Sequence, residues 1–193
     1  MENIKLFCVS LGCDKNLVDT EKMLGLLNGR GVIFTDDETE ADVILVNTCC
    51  FIGDAKEESV NTILDMARYK EEGNLKALLV AGCLAQRYKQ EILDEIPEVD
   101  AILGTTSYEE VAKVLEQVLE GRSGTHLSCF HDLSELPQVE ARRVVTTGGH
   151  YAFLKIAEGC DKRCTYCIIP YLRGPYRSVP MEQLVEEARQ LAE

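Results

Sequence analysis

The sequence has no basic amino-terminal flank leading into an apolar run. It opens Met1-Glu2-Asn3-Ile4-Lys5, so no export signal is expected. No stretch approaches the roughly 20 apolar residues of a membrane-spanning helix, and no membrane partner is expected. Positive charge is also scarce: 20 Lys and Arg stand against 33 Asp and Glu, a net charge of −13. The deficit is uneven, because residues 141–193 hold eight basic and six acidic side chains whereas the rest of the chain holds 12 and 27. An acidic front repels phosphate backbones, so nucleic acid is not expected on this portion, and a basic partner surface suits it better. Plain solubility accounts for the same acidity.

What the chain does have is length, apolar content and thiols. Its 193 residues, 46% hydrophobic, suffice for a buried core in one or two domains. Nine cysteines without an export signal point to metal binding or catalysis in a reducing cytoplasm, not to a secreted disulfide framework.

Apolar runs rich in β-formers (Ile4–Leu11, Val32–Phe34, Val43–Val46, Ala77–Ala81, Ala101–Leu103) alternate with helical patterns at about 15–29, 54–72, 85–96 and 108–121. Asp54 with Glu57, and Ser107 with Glu110, have the spacing of a capping box, while Gly73, Pro97 and Gly121 stand where helices stop. Alternating strands and helices predict an α/β domain, an open and mostly parallel sheet with helices on both faces, over residues 1–122. Residues 123–150 read as a linker. The apolar run Tyr151–Ala157 then reads as a strand entering a second domain over 151–193, and Pro180–Glu193 as a helix with Pro near its start. Leu184, Val185, Ala188 and Leu191 share one face of that helix with little sequence left to cover them, so the chain is expected to stop at the beginning of this domain.

Cys160, Cys164 and Cys167 form a C-x3-C-x2-C group inside Glu158-Gly159-Cys160-Asp161-Lys162-Arg163-Cys164-Thr165-Tyr166-Cys167. Three thiolates can hold three irons of a cubane and leave the fourth open to a substrate or cofactor, an arrangement suited to chemistry more than to electron storage. Lys162 and Arg163 favour the thiolate form. Zinc is the main competitor, but structural zinc usually takes four ligands in two spaced pairs, and neither Cys129 nor His126, His131 or His150 stands at a familiar spacing.

Three further cysteines occupy matching places. Cys13, Cys49 and Cys83 each lie just past the carboxyl end of an expected parallel strand, and such ends share the sheet edge where α/β proteins bind ligands. A second three-thiol site follows if they converge, with Gly12 and Gly82 admitting close backbone approach. Cys8 lies within a strand and reads as a small core hydrophobe, as buried cysteines often are. Cys50 adjoins Cys49 and competes with it as ligand.

The Cys160 group, with an aromatic residue before its last cysteine, resembles the radical S-adenosylmethionine superfamily. The segments Ser10-Leu11-Gly12-Cys13-Asp14-Lys15-Asn16, Val46-Asn47-Thr48-Cys49 and Gly82-Cys83-Leu84-Ala85-Gln86-Arg87 resemble the front domain of methylthiotransferases. That resemblance, over essentially the whole chain, implies two 4Fe-4S clusters. Cys13, Cys49 and Cys83 would hold the one that takes part in sulfur delivery. Cys160, Cys164 and Cys167 would hold the other, whose open iron binds S-adenosyl-L-methionine, and 151–193 would begin a radical α/β barrel. Tyr166 would lie beside the cofactor. An electron donor of the flavodoxin or ferredoxin type is implied as a partner.

Two branches of that family compete. Gly12-Cys13-Asp14-Lys15-Asn16 and Arg173-Gly174-Pro175-Tyr176-Arg177-Ser178 resemble the branch that modifies an aspartate of the twelfth small-subunit ribosomal protein. The alternative is the branch that modifies adenosine in transfer RNA, and outside the enzyme class a non-catalytic zinc module. The resemblance assigns no general acid, base or nucleophile. Arg173 and Arg177 are candidates for holding a carboxylate of cofactor or substrate, or ordinary surface contacts. With the remainder of the barrel and the family's carboxyl-terminal substrate-binding domain absent, these residues alone are expected to be inactive.

Overall fold

Residues 3–121, 126–139 and 141–193 are described by the structure, a computed structural model. The expected boundary at Arg122 and Ser123 lies outside the described residues. Strands β1 (Ile4–Ser10), β2 (Val32–Phe34), β3 (Val43–Thr48), β4 (Ala77–Gly82), β5 (Ala101–Leu103) and β6 (Leu127–Cys129) form one sheet in the order β2-β1-β3-β4-β5-β6. Every pairing in it is parallel. Helices α1 (Asp14–Leu27), α2 (Gly53–Ala67), α3 (Tyr69–Glu72), α4 (Cys83–Tyr88), α5 (Gln90–Glu95) and α6 (Val111–Leu119) connect them.

Alternation along the strands fills two cores. Ile44, Val46, Leu78, Val80 and Ile102 face Ile63 of α2, Leu84 of α4 and Ile92 of α5. Leu6, Val43, Leu45, Leu79 and Leu103 face Met23, Leu24 and Leu27 of α1 with Val111 and Leu115 of α6. All residues of β3 and β4 are buried, as expected of central parallel strands covered on both sides. The α/β architecture expected from the sequence is therefore present.

Local details differ from the sequence reading. The helix expected over 85–96 is two helices, broken at Lys89, whose φ of 42° is left-handed and cannot continue an α-helix. Neither capping box forms: Ile52 precedes α2 without a side-chain cap, and Ser107 Oγ instead accepts the His131 N–H at 2.7 Å. That bond helps seat the strand β6, which lies within the stretch read as a linker. The run Tyr151–Ala157 yields only β7 (Ala157–Glu158), paired antiparallel with β8 (Arg177–Ser178). Helices α7 (Ile169–Arg173) and α8 (Met181–Ala192) complete the chain. No residue of α8 is fully buried; it rests on the connector through Arg142, which donates to Gln190 O at 2.8 Å, and Arg143, paired with Glu187 at 2.8 Å. Among the described residues no helix is long and apolar enough to cross a membrane.

Asp42 fixes the entry of three strands at once. Its carboxylate accepts the Lys5 N–H at 2.9 Å and pairs with Lys76 Nζ at 2.8 Å. Burial pushes this carboxyl up, but the hydrogen bonds from Lys76 and Lys5 outweigh it and hold the group below the ordinary carboxylate value. A depressed folded value means stability that is present above the unfolded value, about 3.9, and lost as pH falls through the folded one. Urea midpoints of the parent and Asp42→Asn should thus differ most near neutrality, begin to approach each other near about pH 4 and converge only once pH is below the depressed folded value. A gap that stays constant with pH would contradict this role.

Candidate functional site

Strand order brings the first three cysteines together. β1, β3 and β4 are immediate neighbours, and Cys13, Cys49 and Cys83 follow their carboxyl ends. Thr48 pairs with Gly82, so Cys49 and Cys83 leave adjacent strands, about 4.8 Å apart, at the same level. Ser10 pairs with Asn47, and the Leu11 N–H donates to Asn47 O at 2.9 Å, carrying β1 to that level before Cys13 starts α1. Cys13 is exposed, whereas Cys49 and Cys83 are buried.

Two glycines make this close packing possible. Gly12 has φ +91°, and a Cβ on it would lie 2.6 Å from Cys49 Cβ and 2.8 Å from Cys49 Sγ. Gly82 has the same φ, and a Cβ there would collide with Asn47 Oδ1 and stand 2.6 Å from Thr48 O. Larger residues would thus push the cysteine-bearing strand ends apart.

Cys49 and Cys50 have different surroundings. Cys49 backbone groups are held by Ser59, whose Oγ accepts the Cys49 N–H at 2.9 Å and donates to Cys49 O at 2.8 Å. Its side chain adjoins Gly12 and hence the Cys13 loop. Cys50 is turned into the core, with Sγ donating to Cys83 O at 3.2 Å. Burial first, then the neighbouring Cys83, pushes the Cys50 thiol up to about 12. Burial also raises the Cys83 thiol, with Arg173 opposing the rise.

The second group lies on a loop pinched at its neck. β7 and β8 close it, the Cys160 N–H donates to Gly174 O at 3.1 Å, and the Tyr176 N–H donates to Asp161 Oδ1 at 2.9 Å. Within it, the Cys167 N–H donates to Cys164 O at 3.0 Å, and Arg163 adopts a left-handed φ of 46°. Cys164 is exposed and Cys160 and Cys167 are half-buried, while Tyr166 is 90% exposed.

Helix α7, which begins two residues after Cys167, joins this loop to the sheet edge. Leu172 is buried in the core with Leu84, and its carbonyl accepts Thr105 Oγ1 at 2.6 Å. Behind it lies a buried charge network that the sequence reading did not foresee. Asp19 pairs with Lys155 and, at 2.6 Å, with Arg173; Glu158 pairs with both cations at 3.0 Å. Lys15 adds a bond to Ala157 O at 2.5 Å. Burial pushes the Glu158 carboxyl up, but Arg173 and Lys155 outweigh it and hold it at about 2. Asn16, wholly buried, donates to Leu11 O at 2.8 Å and Thr48 O at 2.9 Å and accepts from Arg173, so α1 knits both cysteine sites together. Of the two candidate carboxylate-binding arginines, Arg173 is consumed by this network. Arg177 keeps Nε and Nη2 without a partner among the described residues.

In neither cysteine set do all three sulfurs lie within 4.8 Å of one another; among the described residues only Glu109, Glu110 and His131 bring three ligand atoms that close. The Glu109 group is already engaged: Lys113 binds Glu110 at 2.9 Å, and Glu109 accepts the Gln138 N–H. His126 is held by Val99 O at 2.7 Å, and Cys8 and Cys129 lie within strands.

Residues 5–104 match the family described as uncharacterized protein family UPF0004. The chain is 65% identical over 190 residues to a protein of Lachnoclostridium phytofermentans named ribosomal protein uS12 methylthiotransferase RimO, covering 98% of this chain and 42% of that protein. Proteins of the same name from Acetivibrio thermocellus and Clostridioides difficile are 53% and 50% identical, over 97% and 98% of this chain and 42% of each relative. The chain therefore spans less than half the length of these curated relatives.

Proposed function

The chain belongs to the family UPF0004, and on that premise we propose that it is the front portion of a radical S-adenosylmethionine methylthiotransferase that modifies an aspartate of ribosomal protein uS12. One observation carries the reading: the three strands that end in Cys13, Cys49 and Cys83 are neighbours in the sheet, and α7 carries the Cys160 loop onto that same edge. In this reading residues 1–122 form the front domain, 123–150 the linker, which also lends that domain its sixth strand β6, and 151–193 the start of the barrel.

Cys13, Cys49 and Cys83 hold a front 4Fe-4S cluster, and Cys160, Cys164 and Cys167 a second one that leaves an iron for S-adenosylmethionine. Cys49 is the ligand in preference to Cys50 because it borders Gly12, while Cys50 is spent on Cys83 O. A cluster held by Cys160, Cys164 and Cys167 would supply the one-electron chemistry that an unactivated C–H bond requires. The chain's own residues do the rest. The Cys160–Gly174 bond and the β7–β8 neck hold the loop in shape. Arg177, with two free guanidinium nitrogens beside that neck, suits the carboxylate of the cofactor. Tyr166 is free to cover the cofactor, and a flavodoxin- or ferredoxin-type donor supplies electrons in the cytoplasm.

Mass spectrometry of uS12 and of transfer RNA from a strain lacking the gene tests this. The methylthio mark should vanish from the uS12 aspartate and persist on transfer RNA. Loss of the RNA mark alone would defeat the proposal. The purified 193 residues, assayed in the same way, should bind both clusters without turning over.

A further inference from the structure

Arg173 is 4% exposed, yet it does more than close an ion pair. Nη1 meets Asp19 Oδ2 at 2.6 Å and Glu158 Oε2 at 3.0 Å, and Nη2 donates to Asn16 Oδ1. That same Asn16 oxygen lies 3.8 Å from Cys83 Sγ. The guanidinium is thus one shared acceptor away from a sulfur of the front site, although Arg173 itself belongs to the helix that follows the other cysteine loop. Lys155, the second cation of the network, is turned to Asp19, Glu158 and the Tyr108 ring instead. The four charges of Asp19, Lys155, Glu158 and Arg173 sum to zero, but their placement is lopsided. Of the two cations only Arg173 reaches toward Cys83, through Asn16 Oδ1.

We propose that Arg173 is a positioning residue that holds a fixed positive charge beside the front cluster and thereby raises the potential at which that cluster accepts an electron. The inference rests on the reading of Cys13, Cys49 and Cys83 as cluster ligands. Net charge and hydrogen bonding around the sulfurs are among the determinants of cluster potential, and a nearby cation stabilises the form that has gained negative charge. Because Arg173 enters with α7, this tuning depends on the Cys160 loop being docked. The front cluster is therefore reduced most readily when the radical-forming loop is in place.

The test uses the anaerobically reconstituted chain carrying Cys160→Ala, Cys164→Ala and Cys167→Ala, so that the front cluster is observed alone. Its midpoint potential is measured by dye-mediated reductive titration followed by paramagnetic resonance. Arg173→Lys keeps the charge and should leave the potential close to the parent value; Arg173→Gln should lower it. The double variant Arg173→Gln with Asp19→Asn keeps the network neutral through Lys155 and Glu158, and answers the question should the single glutamine variant not fold. Its potential should also fall, by less, since the opposing carboxylate has gone too. Bound iron at about four per chain with the potential unmoved in the glutamine variants overturns this inference alone. A parent that binds no iron overturns the cluster reading and this inference with it.

Discussion

Alanine at Cys13, Cys49 and Cys83 together is expected to cut iron and acid-labile sulfide from about eight to about four per chain after anaerobic reconstitution. Alanine at Cys160, Cys164 and Cys167 should remove the other four, and all six substitutions should leave a colourless protein. The halving follows from geometry: one set sits at the ends of β1, β3 and β4, the other on a loop closed by its own β7–β8 neck, so each can lose its ligands while the other keeps its frame. The Cys50→Ala chain should retain full iron, because its sulfur is directed to Cys83 O inside the core. Loss of half the iron in Cys50→Ala with none lost in Cys49→Ala would reverse that assignment. Tightly held zinc without iron in the parent chain would sink the cluster reading altogether.

How far the sequence alone leads is seen by comparing these two sites. The Cys160 group is local, three thiols in eight residues, so its spacing is legible without a fold. The Cys13, Cys49 and Cys83 set is legible only through the rule that parallel strands share a ligand-binding edge. The pattern of five apolar runs supplied that rule with its strands, but not the order β2-β1-β3-β4-β5-β6 that makes the three cysteine-bearing strands adjacent. β6 went unread because Leu127–Cys129 is broken by a polar residue, whereas the equally short β2 and β5 are wholly apolar runs. The buried network escaped for a different reason. Asp19, Lys155, Glu158 and Arg173 are separated by as many as 154 positions and look, one by one, like ordinary surface charges. Asn16, Lys155, Glu158 and Arg173 all stood in segments already singled out, yet of the charged three only the arginine drew a reading, as a ligand-binding group, when its partners are protein carboxylates.

That network sets up the largest stability effect expected in the molecule. Asp19→Asn should cost about 3–5 kcal/mol, because it leaves Lys155 and Arg173 buried with the single carboxylate Glu158 between them. The cost arises from stranded cations, not from a strong attraction lost; intact buried pairs often add little net stability, since desolvation offsets most of the Coulomb gain. A compensated variant should accordingly recover most of the loss, and Asp19→Asn with Lys155→Met, which leaves Arg173 facing Glu158, is the direct case. The damage is also expected to be local. Asp19 lies on α1, packed on the sheet, whereas both cations belong to the chain after residue 150, so the cheapest relief is release of that chain from the sheet edge. Once it is released the cations are hydrated, and the free energy lost cannot exceed that of docking. Limited proteolysis should then cleave Asp19→Asn first between residues 141 and 180, with the six-stranded sheet domain surviving. A urea midpoint for Asp19→Asn within about 0.5 kcal/mol of the parent, together with an unchanged cleavage pattern, would show that the network does not hold the two cysteine sites together.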